Sequence, residues 1–400
     1  MSKRREQKYI FDMMRSALNG QPLKEVPAGL DWEYIRQVCQ FHRIENLAAY
    51  GMQGNPQKDR IPKHIQKSFV HACQKGMARE AVQKYEQEQI LEGFEKAGVD
   101  SLPLKGSVLK NYYPSPDMRF LTDLDILFRD EHKEDVRRVL LGLGYQEDHE
   151  WEVHDVYIKP PVMNVEMHYI CCTQNKELNQ FYETIWERAW LIEGKECTYQ
   201  MSWEDYYIYM VGHAVRHFKL GGIGIRMLLD FVVFEEKLEG MCDRRLVEEE
   251  LQRAGLLTFE KSIRAFLKDC MEEGKPLNEK DGLLDCVIES GAYGTMDNFL
   301  QMRLLEGGDS RWRIFITRLK LLASVVLPDM GVMKELYPYL EHYPLLLPAA
   351  WIQRGIKKAL FAPGQCRRVL MDVLKRRQLE DMKGAFRKAG FHRGGRDGTL

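Results

Sequence analysis

The run Thr122-Asp123-Leu124-Asp125-Ile126-Leu127-Phe128 constrains this chain more than any other stretch. Two carboxylates stand one residue apart inside an apolar, strand-forming segment. Successive side chains of a strand point to opposite faces, so Asp123 and Asp125 share a face, with Cα atoms roughly 6.5–7 Å apart. Leu124, Ile126 and Phe128 take the other face and require a core. Like charges held together on a half-buried strand repel each other. A cation between them removes that cost, and hard divalent cations with oxygen ligands fill the role. The alternative is an edge strand whose acids are simply solvated.

The flanking sequence favours the first, although Glu166 within it could likewise be an exposed acid on an edge strand. Leu102-Pro103-Leu104-Lys105 is short and apolar, and Gly106-Ser107 breaks it before a short helix over 108–113. A glycine between strand and helix lets backbone approach a phosphate closely, and a helix N-terminus supplies N–H donors. The Ser107 hydroxyl is a further contact, with Lys105 and Arg119 as nearby cations. Downstream, Asn164-Val165-Glu166-Met167-His168 alternates as a strand should, with Glu166 and His168 on one face. If this strand pairs beside the Asp123 strand, Glu166 completes a three-carboxylate cluster. That is the ligand set for two Mg²⁺ ions about 3.5–4 Å apart, with Mn²⁺ as the substitute.

Periodicity places these pieces. Residues 1–75 read as helices, with Asp31 as an N-cap. His42 lies near a helix end, a place where histidines are more often structural than functional. A long helix over 64–97 is expected to turn Gln83, Lys84, Glu86, Glu88 and Glu92 outward and Val82, Tyr85, Ile90, Leu91 and Phe94 inward, and to stop at Gly98. Asp130 reads as the cap of a helix over 131–143. Strand-like runs at 145–147, 153–159 and 162–170 follow, with Pro160-Pro161 between the last two. From about 176 the chain is helical again, with Ser202 as a cap. The tail from Arg387 reads as frayed.

The motifs Leu104-Lys105-Gly106-Ser107, Tyr113-Pro114, Arg119, Asp123-Leu124-Asp125 and Val165-Glu166-Met167-His168 together resemble the bacterial family of uncharacterised nucleotidyltransferases. That family lies within the superfamily similar to DNA polymerase beta and the antibiotic nucleotidyltransferases. The resemblance implies that a nucleoside triphosphate (NTP) binds through Lys105, Gly106, Ser107 and Arg119. It implies that Asp123, Asp125 and Glu166 hold the metals, with Glu166 as the base candidate. A hydroxyl would then attack the α-phosphorus and pyrophosphate would leave. The stretch from Gly106 to Asp123 is longer than the superfamily's usual spacing, and Lys105 before the glycine is unlike the antibiotic-modifying members.

Two further groups stand outside that unit. His213 and His217 are spaced i, i+4 on one helix face, beside Arg216, and Arg226 and Asp230 share the same spacing on the next helix. They read either as interior histidines plus a helix salt bridge, or as a wall closing the cleft, with His168, His213, His217 or Arg226 reaching base or acceptor. Residues 351–400 are basic, which suits a solvated face better than a nucleic-acid footprint.

The sequence therefore predicts an α+β, predominantly helical protein: a helical region over 1–75, a small mixed-sheet nucleotidyltransferase core over 76–190 and a helical domain with a basic tail over 191–400. Nine scattered cysteines without a C-x-x-C pair argue against structural zinc, and no apolar leader follows Met1. A cytoplasmic protein is expected. Leu319–Leu327 is too short to span a bilayer. The predicted partners are an NTP and an unidentified acceptor, with no membrane. Two rivals remain: a nucleotide-binding protein without turnover, and a toxin acting on tRNA.

Overall fold

The computed structural model describes residues 3–23, 25–150, 153–171, 175–306, 326–361 and 377–391, with isolated positions between 312 and 323. Four helices open the chain: α1 (Arg4–Asn19), α2 (Trp32–Phe41), α3 (Glu45–Met52) and α4 (Lys63–Ala97). Asp31 caps α2 by accepting the Tyr34 N–H at 3.0 Å. Helix α4 stops at Gly98, whose φ of 69° is open to a residue without Cβ.

Next comes β1 (Ser101–Pro103), then the one-turn α5 (Gly106–Leu109), β2 (Leu124–Phe128) and α6 (Lys133–Gly142). A meander of β3 (Gln146–Glu150), β4 (His154–Lys159) and β5 (Met163–His168) completes a mixed five-stranded sheet in the order β1-β2-β5-β4-β3. Strand β5 lies parallel to β2, with Asp125 opposite Glu166 and Leu127 opposite His168. The strand pairing that the three-carboxylate reading requires is therefore present. Asp130 starts a 3₁₀ turn ahead of α6 and does not cap that helix, whose N-cap is His132.

The rest is mainly helical: α7 (Lys176–Tyr182), α8 (Ile185–Arg188), α9 (Trp203–Lys219), α10 (Ile225–Lys237), α11 (Arg244–Arg253), α12 (Leu257–Met271), α13 (Gly282–Ser290) and α14 (Met296–Glu306). Ser202 caps α9 through the Asp205 N–H.

The two faces of β2 serve two cores. Leu124, Ile126 and Phe128 pack with Ile90 and Phe94 of α4 and Val136 and Leu140 of α6. The opposite face, with Leu127, belongs to a larger cluster that joins the N-terminal helices to α9–α13. The alternation of β2 thus sends its apolar side to one core and its carboxylates toward α9 and α10.

Two expectations need correcting. In α4, Gln83 and Glu86 are buried, whereas Val82 and Tyr85 are exposed. Glu86 is drawn inward by Lys159 Nζ at 2.7 Å and by the Tyr145 hydroxyl at 3.0 Å, partners that no local pattern reveals. At the other end, residues 387–391 are docked: Phe391 stacks on Phe218 at 5.6 Å, and Lys388 pairs with Asp281. Arg367, Arg368, Lys375, Arg376, Arg393 and Arg396 of the basic stretch lie outside the described residues. No helix among the described residues is long and apolar enough to cross a membrane.

Candidate active site

Asp123 ends the bend that leads into β2, Asp125 is the second residue of that strand, and Glu166 faces Asp125 across the parallel ladder. All three line one cleft, about 1170 Å³ of empty space, walled by α9 and α10. The predicted common face of the two aspartates is therefore present. A tighter group forms within it: ligand atoms of Asp125, Glu166 and His168 lie within 4.8 Å of one another, and Asp123 is not among them. His168 joins because β5 carries it two residues beyond Glu166 on the same face.

Lys105 supplies the cation closest to the acids. Its ammonium sits 2.5 Å from Asp125 Oδ1, and His168 Nε2 approaches the same oxygen at 2.8 Å and Glu166 Oε2 at 3.4 Å. Burial raises the Asp125 carboxyl, but Lys105 and His168 outweigh it and hold that carboxyl well below its usual range. Asp123 has no such contact. Burial first, and the neighbouring Asp125 second, push it up to about 6. Burial works against charge on Lys105 and His168, yet the surrounding acids raise both above their ordinary values. Lys105 also has a φ of 52°, a left-handed conformation rare for a side chain other than glycine. Its carbonyl accepts the Tyr206 hydroxyl at 2.5 Å, which helps hold the strained turn in place.

The other predicted contacts are placed differently. A Cβ on Gly106 would lie 2.5 Å from Leu121 Cδ2 and 3.0 Å from Arg119 Cζ, so close packing already demands glycine there. Ser107 is buried, donates to Leu104 O at 2.6 Å and is not part of the cleft wall. Arg119 lines the cleft but is bidentate to Asp230, with two contacts of 2.7 Å, and Tyr113 donates to the same carboxylate at 2.8 Å. The helix salt bridge expected between Arg226 and Asp230 is therefore absent, because Arg119 takes Asp230. Arg226 instead donates to Phe120 O at 2.9 Å and Thr122 Oγ1 at 3.3 Å, and lies 5.2 Å over the Tyr293 ring. Its Nε is buried with no partner.

His213 and His217 line the cleft with their rings 4.5 Å apart. Burial, then the nearby Lys105, lowers both, His217 to about 4, so both are neutral at pH 7. His42 does not reach the cleft. It accepts the Ile225 N–H at Nδ1 and contacts Ile288 O through Nε2, both at 3.1 Å, tying α2 to α10 and α13.

The cleft also contains residues that the sequence reading passed over. Tyr209 stands four residues before His213 and shares its helical face, a signal that spacing alone carries. His154 enters because β4 pairs it opposite His168. Tyr293 arrives from the loop after α13, and its hydroxyl lies 2.8 Å from Thr122 Oγ1. Nothing local in the sequence announces that contact.

With this geometry in hand, the profile of a family described as "Uncharacterised nucleotidyltransferase" matches residues 28–272. The chain belongs to that family. This nucleotidyltransferase is also similar, over 47% of its length and 96% of the other chain, to the solution structure of antibiotic-resistance factor ANT(2'')-Ia, at 13% identity and a TM-score of 0.32. No curated protein matches it. The family match spans the sheet, the acid row and helices α9 and α10, but stops short of Tyr293.

Proposed function

We propose that the protein transfers a nucleoside monophosphate from an NTP to an acceptor hydroxyl, with Mg²⁺ as the cation and pyrophosphate as leaving group. The observation that carries this reading is the register that sets Asp125 opposite Glu166, with Asp123 two residues ahead, inside a cleft that also holds Lys105 and Arg226.

The residues fit a divalent cation. Asp123 is a half-buried acid pushed up to about 6, with no ion-pair partner among the described residues, so a cation there would relieve both its burial and its repulsion from Asp125. Asp123, Asp125 and Glu166 would hold the metal, with His168 close enough to steady Asp125 and Glu166. Such an ion neutralises charge that develops on the phosphates.

The chain's own groups supply the rest. Lys105 and Arg226 offer positive charge to the triphosphate. Glu166 takes the proton of the attacking hydroxyl. The acceptor's hydroxyl oxygen forms a bond to the α-phosphorus, and the bond from that phosphorus to the pyrophosphate oxygen breaks. Arg119 is a positioning residue in this scheme, since Asp230 already neutralises it and its guanidinium packs against Gly106.

The test is incubation of α-labelled NTPs with Mg²⁺ and cell extract, comparing the protein with its Asp125→Ala variant. Label should appear in an acceptor only with the unaltered protein. Equal labelling by both removes the proposal.

A further inference from the structure

Beside His168, whose Nε2 lies 3.4 Å from Glu166 Oε2, a second cavity, with about 680 Å³ of empty space open to solvent, lies between β4, β5 and α9. It shares Lys105, His154, His168 and Arg216 with the main cleft and continues past Ile170 to Leu256. Its lining combines apolar side chains with a few polar and cationic groups, the make-up of a small-molecule site.

The charge of its wall is one-sided. No Asp or Glu lines it among the described residues. Arg216 projects from α9 into both cavities and has no hydrogen-bond or ion-pair partner among the described residues. His154 Nδ1 is likewise buried without a partner. Val153, Ile170, Val215 and Leu256 make part of the lining apolar. A half-buried guanidinium with no ion-pair partner among the described residues, on a wall that carries no carboxylate, is set up to receive an anion from outside the chain.

Position adds the second half of the argument. If Glu166 takes the acceptor's proton, the acceptor hydroxyl must lie beside Glu166. This cavity opens beside His168, which contacts Glu166, whereas Arg226 reaches Thr122, next to Asp123. We propose that this cavity is the acceptor subsite, and that the acceptor is a small hydroxylated anion whose phosphate or carboxylate is received by Arg216. The proposal rests on the nucleotidyl-transfer reading above. A polycationic acceptor would meet Arg216 on a wall that carries no carboxylate.

The experiment supplies α-labelled NTP and Mg²⁺ to the full chain with a cell extract separated into cationic, neutral and anionic small-molecule pools and an RNA pool. Label is expected in the anionic pool. Arg216→Glu should reduce that transfer about 10–100-fold, the range for losing a charged hydrogen bond. Arg216→Lys should restore most of it, and NTP affinity by calorimetry should stay within about twofold. Inorganic phosphate and acetate as competitors then separate a phosphate acceptor from a carboxylate one. Label in the cationic, neutral or RNA pool overturns the proposal, as does an unchanged Arg216→Glu variant with an unaltered melting curve. NTP binding without label in any pool also overturns it. Failure to bind NTP at all removes the underlying reading instead.

Discussion

Arg119 and Arg226 line the same cleft, are almost equally buried and approach backbone in the same loop, yet only one has a carboxylate. Arg119 has both oxygens of Asp230, and Tyr113 completes that group. Arg226 has a carbonyl, a hydroxyl and a ring face, and one buried nitrogen with nothing. The first is a finished network that holds the loop before β2 against α10. The second is an unfinished one, and buried charge left unfinished marks where a ligand completes the structure. The acids divide in the same way. Asp125 is satisfied by Lys105 and His168, while Asp123 is left raised and unpaired.

The sharpest way to break this contrast is Asp230→Asn. It strands Arg119, and loss of one partner from a buried pair costs about 3–5 kcal/mol. Denaturant midpoints should fall accordingly, and an unchanged midpoint would mean that the network is not the scaffold. Glu166→Gln addresses the open side. Removing a general base costs about 10²–10⁴-fold in turnover. Pyrophosphate release should drop by that factor while the melting temperature changes little, and a variant with ordinary turnover would leave Glu166 without the base role.

His42 belongs with the satisfied groups, and pH exposes it. Burial lowers it from 6.5 to about 4, so the fold holds it neutral. A group whose folded pKa is depressed contributes stability that is complete above 6.5 and is lost as pH falls toward 4. The 2.5-unit difference corresponds to at most about 3 kcal/mol. Between pH 6.5 and 4 the protein should lose up to that much more stability than its His42→Gln variant, as measured by urea denaturation at each pH. Parallel curves for the two proteins would contradict the neutral, buried assignment. The smallest effect is expected at Arg226→Met. Removing a buried cation that has no carboxylate should change stability by less than about 1 kcal/mol. It should, however, raise the KM for NTP. A large loss of stability would place Arg226 beside Arg119 as scaffold.

Much of the candidate site was legible in the chain because its signals are local. Period-two alternation put Asp123 and Asp125 on one face and Leu124, Ile126 and Phe128 on the other, and the same rule paired Glu166 with His168. Helical spacing grouped His213 and His217. The errors arose where a residue's partner is distant in sequence. Helical periodicity sends Glu86 to solvent, because its i+3 and i+4 neighbours do not reveal Lys159 and Tyr145. Asp230 was assigned to Arg226, one turn away, because nothing local shows Arg119 more than a hundred residues earlier.

The sequence by itself determined which side chains share a face, where the turns fall and that an acid row needs positive charge, since all three follow from backbone geometry and Coulomb repulsion. Only the tertiary structure decided which cation answers which acid. That choice depends on how β5 pairs with β2 and how α9 and α10 close over the sheet, and buried ions are settled by whichever partner arrives at contact distance. Among the described residues it left Arg226 and Arg216 without carboxylate partners, and it brought Tyr293 to the cleft from beyond the family's matched span.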